Sequence, residues 1–327
     1  MSIAAALDAA YERLRAFATR AEPLAPYTTY KIGGPAAVFA APRDDDELAL
    51  VGEAVRDLRL SVLVVGRGSN LLVADEGFRG VAVSLAQMAE WADLGSGDGE
   101  VLAGAAIALP VLSRRCSAAG LVGFEWAVGV PGSIGGAVRM NAGGHGSDMA
   151  ACMTGAQVLD LHSGRTAWIA VDALGLRFRG SALADHQVVL VARLQLARGE
   201  VAASEAMLAE IVRWRREHQP GGQNAGSVFV NPVPGEVPAA LLIDRLGLRG
   251  RRVGGAWVSE KHANFIQAGE GATAADVRQL MREVRTAVLE GTGFALRTEI
   301  RLVGFDDPTF ADAPDEQPVG VPVGVEV

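Results

Sequence analysis

Apolar residues recur along this chain at helical and strand spacing in turn, and the alternation marks out elements before any motif is considered. Leu7, Tyr11, Leu14 and Ala18 fall every three or four residues, with Asp8, Glu12 and Arg13 among them. This predicts an amphipathic N-terminal helical segment over 1–25 rather than a signal peptide. Residues 37–41, 61–65 and 80–84 read as strands and 46–59 as a helix, which together make a small α/β unit. The acidic run Asp44-Asp45-Asp46-Glu47 stands just before Leu48, Val51 and Val55, where carboxylates cap a helix and complement its dipole. Further on, 110–119 reads as a helix and 156–161 and 188–196 as strands. Helices follow over 205–217, 238–246 and 273–290, and a closing strand over 294–303. Gln219-Pro220-Gly221-Gly222 breaks the first of these three helices. No stretch offers the run of about 18 apolar residues a membrane span requires.

Glycine is abundant, 40 of 327 residues, and it clusters between apolar runs. Gly66-Arg67-Gly68-Ser69-Asn70-Leu71 follows the apolar run 62–65, so its backbone N–H groups fall just beyond a strand, where they suit phosphate oxygens or form an ordinary strand-ending turn. A leucine stands where a third glycine would complete a Rossmann fingerprint, and no phosphate-loop lysine follows. Residues 129–146 hold seven glycines and read as too glycine-rich for regular structure, an ordering cost that a bound ligand would offset. Cys116 and Cys152 are the only cysteines, so neither a disulfide framework nor a zinc site is implied and a reducing, cytoplasmic setting fits. The net charge of −8 without a basic stripe argues against nucleic-acid binding. Five histidines without an H-E-x-x-H pattern give metal catalysis no support.

Three further segments carry candidate chemistry: Arg177-Phe178-Arg179-Gly180-Ser181, Asn224-Ala225-Gly226-Ser227-Val228-Phe229-Val230-Asn231-Pro232, and Leu296-Arg297-Thr298-Glu299-Ile300-Arg301. With the glycine segments they resemble UDP-N-acetylenolpyruvoylglucosamine reductases, flavoenzymes of bacterial cell-wall synthesis, over residues 27–305. The resemblance implies an α+β chain: a two-subdomain FAD-binding fold of the vanillyl-alcohol-oxidase type (26–98 and 99–200), a C-terminal α/β substrate domain (201–305) and a disordered acidic tail (306–327). It implies noncovalent FAD held by Ile32 and Gly33, by Gly66, Arg67, Gly68, Ser69, Asn70 and Leu71, and by Pro131, Gly132, Ser133, Gly135, Gly136, Asn141, Ala142 and Gly143.

The same resemblance assigns Arg179 to the substrate carboxylate, Glu299 to the forming enolate with a raised pKa, and Ser227 to proton delivery at C2. Asn231, Lys261 and His262 match contacts to the UDP portion. Phe178 stands where the family usually has tyrosine, and His218 where many relatives carry lysine. Tyr11, Tyr27 and Tyr30 are the only tyrosines and all precede these segments, so the chain resembles the shorter class that lacks a tyrosine-bearing loop. The implied partners are UDP-N-acetylglucosamine enolpyruvate and NADPH, which use one site in turn. Nucleic acid and membrane insertion are excluded, and a monomer is favoured. Two rivals stay open: an FAD oxidoreductase of the same fold acting on an alcohol or sugar lactone, and a flavin-bound sensor without turnover. Neither accounts for Arg179, Ser227 and Glu299 together.

Overall fold

The computed structural model describes residues 1–95, 98–233 and 235–305; the expected tail lies outside them. The chain divides into two compact units. The first comprises residues 1–22, 36–67 and 79–217. The second comprises 23–35, 68–78 and 218 onward, so two early segments belong with the C-terminal part, and the boundary after Glu217 leaves the helix Val201–His218 almost wholly in the first.

In the first unit, the helix Ile3–Leu14 buries Ala6, Ala10 and Leu14 and packs on the helix Asp45–Leu58. The expected helical segment 1–25 is therefore corrected: helix ends at Leu14, and Ala18–Pro23 is a strand. Asp44 caps the second helix by accepting the Glu47 N–H at 2.9 Å, and Asp45, Asp46 and Glu47 fill its first turn, as the acidic run predicts. A four-stranded sheet runs in the order Ala18–Pro23, Pro35–Ala40, Phe78–Val83, Val62–Val64. Its last pair is parallel, with Val62 opposite Val81.

A five-stranded antiparallel sheet follows, ordered Arg165–Ala170, Met153–Asp160, Gln187–Gln195, Glu100–Gly104, Ala92–Asp93. The edge strand Arg165–Ala170 is exposed along nearly its whole length, so it carries no alternating signal. Trp168 there is covered by the Arg193 guanidinium 4.4 Å from its ring centre. One apolar core runs through both sheets, from Val81 and Val83 to Ala156, Val188 and Leu194. The helix Val201–His218 packs Leu208 and Ile211 on Val128, and Ser204 donates to the buried Glu125 carboxylate at 2.6 Å.

The second unit has its own core, which includes Tyr30, Leu72, Phe229, Leu242, Val277, Val284 and Ile300. A three-stranded antiparallel sheet, Arg252–Val253, Ala256–Val258 and Ile266–Ala268, lies beside the helix Ala274–Thr292. That helix starts in a capping box of Thr273 and Asp276, and the Asp75 carboxylate accepts two more of its free N–H groups, from Ala274 and Ala275, at 2.9 Å each. The closing strand is shorter than expected. Only Arg301–Val303 forms a ladder, parallel to Leu71–Val73. Residues just before it pair with another partner: Val230 N–H donates to Arg297 and Glu299 N–H to Val228, at 2.9 and 2.8 Å. The segment changes partner near Ile300, and the change breaks the ladder.

Candidate active site

Within the first unit the two glycine-rich segments meet. A Cβ on Gly66 would collide with the Oγ of Ser133, itself buried. Beyond Ser133 the chain forms the short helix Ile134–Met140, which corrects the expectation that 129–146 holds no regular structure. Ile134, Ala137 and Val138 are buried at helical spacing, and the Ile134 and Gly135 N–H groups donate to Ile107 and Ala105 at 3.0 and 2.8 Å. Packing on one face outweighs the glycine entropy cost. Asn141 ends the helix at φ +40°, and His145-Gly146, both with positive φ, close a tight hairpin that pairs Gly144 with Ser147.

Not all of these glycines answer to the protein's own packing. A Cβ on Gly135 would stand 3.0 Å from Ala105, and one on Gly143 would meet Asp148 at 2.6 Å. At Gly136 and Gly144, by contrast, φ is ordinary and a Cβ would find its nearest protein atom 3.8 and 3.9 Å away. Each of those two positions leaves its backbone open to a bound ligand. Arg215 covers another glycine of the segment: its Cδ lies 2.7 Å from where a Gly129 Cβ would be. Burial holds its pKa below the ordinary guanidinium value, and it has no carboxylate partner among the described residues. His145 lies edge-on to Trp214 at 5.1 Å, and its pKa is lowered by burial and by the Arg215 charge. Sequence spacing does not single out Arg215 among the other arginines of its helix.

Arg179 occupies the apex of a tight turn in which the Arg177 and Gly180 N–H groups donate to each other's carbonyls at 3.0 and 3.1 Å. Its φ is +58°, a left-handed backbone that costs an L-residue about 1–2 kcal/mol. Its guanidinium stacks over the exposed Phe178 ring at 5.0 Å. Strain of this kind at a side chain able to bind a carboxylate is the pattern of functional positions.

In the second unit the backbone segments that carry Ser227 and Glu299 pair with each other. The Val228 carbonyl next to Ser227 accepts the Glu299 N–H, and Phe229 bridges Thr298. Asn224 Oδ1 accepts the Gly226 N–H at 3.0 Å, and Gly226 turns the chain at φ +79° to present the half-buried Ser227. The buried Asn264 holds this strand by accepting the Phe229 N–H at 3.0 Å and donating to the Phe229 carbonyl at 2.8 Å. Asn70, expected at the cofactor, donates to the Glu299 carbonyl at 3.0 Å, and its own carbonyl accepts from Arg301 at 2.9 Å. It ties the first glycine segment to the glutamate.

The remaining expected residues divide. Ile32 is buried in the second core, and a Cβ on Gly33, at φ +121°, would press on Val73 at 2.8 Å. Gly68 similarly leaves room for the backbone at Thr28, 2.7 Å from its Cβ position. Thr29 beside it has a shielded Oγ1 with no hydrogen-bond partner among the described residues, a second place that fits a polar ligand group. Gly66, Arg67 and Pro131 are exposed; Ser69, Leu71, Gly132, Ala142 and Gly143 are half-buried. Asn141 spends its whole side-chain amide on protein groups. Asn231 Oδ1 accepts the Ala239 N–H at 3.0 Å and so caps the next helix. Lys261 is exposed, whereas His262 is half-buried beside Phe265 and accepts the Asn264 N–H on Nδ1 at 3.3 Å. Burial and then the Arg249 charge lower its pKa.

Comparison with known proteins gives this geometry its context. Residues 35–170 match the family model described as an FAD binding domain. Residues 218–303 match the C-terminal domain of UDP-N-acetylenolpyruvoylglucosamine reductase. The reductase of that name from Heliobacterium modesticaldum is 42% identical over 86% of this chain and 90% of its own. This chain belongs to the UDP-N-acetylenolpyruvoylglucosamine reductase family. The member from Anaeromyxobacter dehalogenans is 42% identical over 91% of this chain and 89% of its own. The crystal structure of the Thermus caldophilus reductase superposes with a TM-score of 0.74 at 32% identity, covering 88% of this chain and 98% of that one. As a member of this reductase family the protein is an FAD-dependent oxidoreductase of peptidoglycan precursor synthesis, with the α+β fold expected from its sequence. No helix among the described residues is long and apolar enough to cross a membrane.

Proposed function

We propose that the protein reduces UDP-N-acetylglucosamine enolpyruvate to UDP-N-acetylmuramate with NADPH as electron donor, in the cytoplasm. FAD, held by the glycine segments, would supply the hydride that reduces C3 of the enolpyruvyl group. Reduction at C3 leaves negative charge at C2 that spreads into the substrate carboxylate. Arg179 presents a planar, permanently charged fork to that carboxylate and stabilises the charge more in the transition state than in the ground state. Ser227 delivers its proton to C2, a step open to a hydroxyl only at short range and away from water. Glu299, beside the forming enolate, carries a proton and donates a hydrogen bond, because two unshielded anions would repel. Arg215 and the bare glycines Gly136 and Gly144 suit an anionic portion of a ligand, and Asn231, Lys261 and His262 suit the UDP portion.

The observation that carries this reading is the backbone pairing of the Ser227 and Glu299 segments through Val228, reinforced by Asn264 and Asn70. An alcohol-oxidising flavoenzyme has no need of a hydroxyl acid and a carboxyl group on paired segments. The test is an anaerobic titration: bleach the flavin with NADPH, then add the enolpyruvyl substrate. Recovery of the oxidised spectrum is expected; bleaching without recovery refutes the substrate assignment. Ser227→Ala should slow recovery by about 100-fold or more while leaving bleaching nearly unchanged. Equal loss in both half-reactions would dismiss the proton-donor role.

A further inference from the structure

The turn that carries Arg179 is fastened from outside at both ends. On its incoming side, Asn141 Nδ2 donates to the Arg177 carbonyl at 3.3 Å. On its outgoing side, Ser181 Oγ donates to the Arg139 carbonyl at 2.8 Å, and the Arg177 side chain donates to the Ser181 carbonyl at 2.9 Å. Both pins lead to the last turn of the helix Ile134–Met140, inside the stretch that matches the FAD-binding family model.

The Asn141 amide leaves no ambiguity about its orientation. The Asp148 carboxylate accepts from Nδ2 at 3.1 Å, and the Ala150 N–H donates to Oδ1 at 3.0 Å, so both amide donors and the acceptor are engaged. Ending the helix at φ +40° requires only a residue that tolerates the left-handed region, which glycine does better. The bond to Arg177 goes beyond a cap's needs. It closes on a turn whose apex residue sits in an unfavourable conformation and would otherwise relax to negative φ, re-aiming its guanidinium.

We propose that Asn141 and Ser181 are positioning residues that hold the Arg177–Gly180 turn, and with it the Arg179 guanidinium, in register with the helix Ile134–Met140. The inference rests on the reading of Arg179 as the ligand of the substrate carboxylate. Neither side chain touches the reacting atoms in this scheme. Each acts through Arg179, so loss of the Ser181 hydroxyl should affect only the step Arg179 serves.

The test is a double-mutant cycle on holoenzyme, following both half-reactions anaerobically. Ser181→Ala should slow flavin reoxidation by the enolpyruvyl substrate roughly 3- to 10-fold, the equivalent of one lost neutral hydrogen bond, and change flavin reduction by NADPH less than about twofold. In an Arg179→Ala background the same substitution should cause no further slowing, and Ser181→Thr, which keeps the hydroxyl, should restore most of the rate. Asn141→Gly keeps the helix end and removes the pin, and it should likewise be non-additive with Arg179→Ala. Slowing by Ser181→Ala that is fully additive with Arg179→Ala, or equal in both half-reactions, overturns the positioning role. If Arg179→Ala alone leaves reoxidation at the wild-type rate, the reading of Arg179 fails instead, and the cycle separates the two failures.

Discussion

The conformation of Arg179 makes one substitution pair especially informative: Arg179→Gly against Arg179→Ala. At φ +58° any L-residue bears about 1–2 kcal/mol of steric cost, which glycine does not. Glycine returns about 0.5–1 kcal/mol through the greater freedom of the unfolded chain. Both variants lose the stacking on the exposed Phe178, worth at most about 0.5–1 kcal/mol at such a site. The alanine variant should therefore fall roughly 1 kcal/mol below the glycine one. A gap of that size separates their melting temperatures by about 2–4 °C. Both should reoxidise bound flavin about 100- to 1000-fold more slowly than wild type when given the enolpyruvyl substrate. The assay is thermal unfolding of holoenzyme alongside single-turnover reoxidation. An alanine variant as stable as the glycine variant would refute the strained turn. Wild-type reoxidation in either variant would refute the carboxylate role.

Asn264→Ala strands the buried N–H and carbonyl of Phe229, at a cost of about 1–3 kcal/mol each, so a denaturant titration should show the second unit unfolding several kcal/mol earlier. His262 has a folded-state pKa below its ordinary value of 6.5, so the unfolded chain binds its proton first as pH falls. Its stabilising effect is therefore complete above about pH 6.5 and is lost as pH drops through the folded value. His262→Gln should flatten that part of the stability–pH curve, and an NMR titration midpoint at or above 6.5 would contradict the sign. Denaturation and precipitation should leave all the yellow colour in the supernatant. Colour retained in the pellet would mean covalent flavin.

Much of the secondary structure was legible because one-sided burial writes a period into the sequence. The helix Asp45–Leu58 showed itself through Leu48, Val51 and Val55 and its acidic cap, and the helix Ala274–Thr292 lies within two residues of the expected 273–290. Elements without one-sided burial were missed or misread. Arg165–Ala170 is wet on both faces, and Ile134–Met140 hides a three-residue apolar stripe among glycines within it and on either side. The segment 294–303 has an extended pattern throughout, yet it divides its hydrogen bonds between two partners. Periodicity reports which face is buried and carries no record of which strand lies alongside.

By itself the sequence determined the family, and with it the flavin chemistry and the identity of Arg179, Ser227 and Glu299 as candidates, since those depend on residue type and spacing along the chain. Only the tertiary structure decided how these residues are held. Asn70 joins Glu299 across 229 positions, Asn264 grips Phe229 across 35, and Asn141 reaches the Arg179 turn across 36. Such bonds leave no local pattern because each satisfies a backbone carbonyl or N–H, a group that every residue in the partner position presents alike.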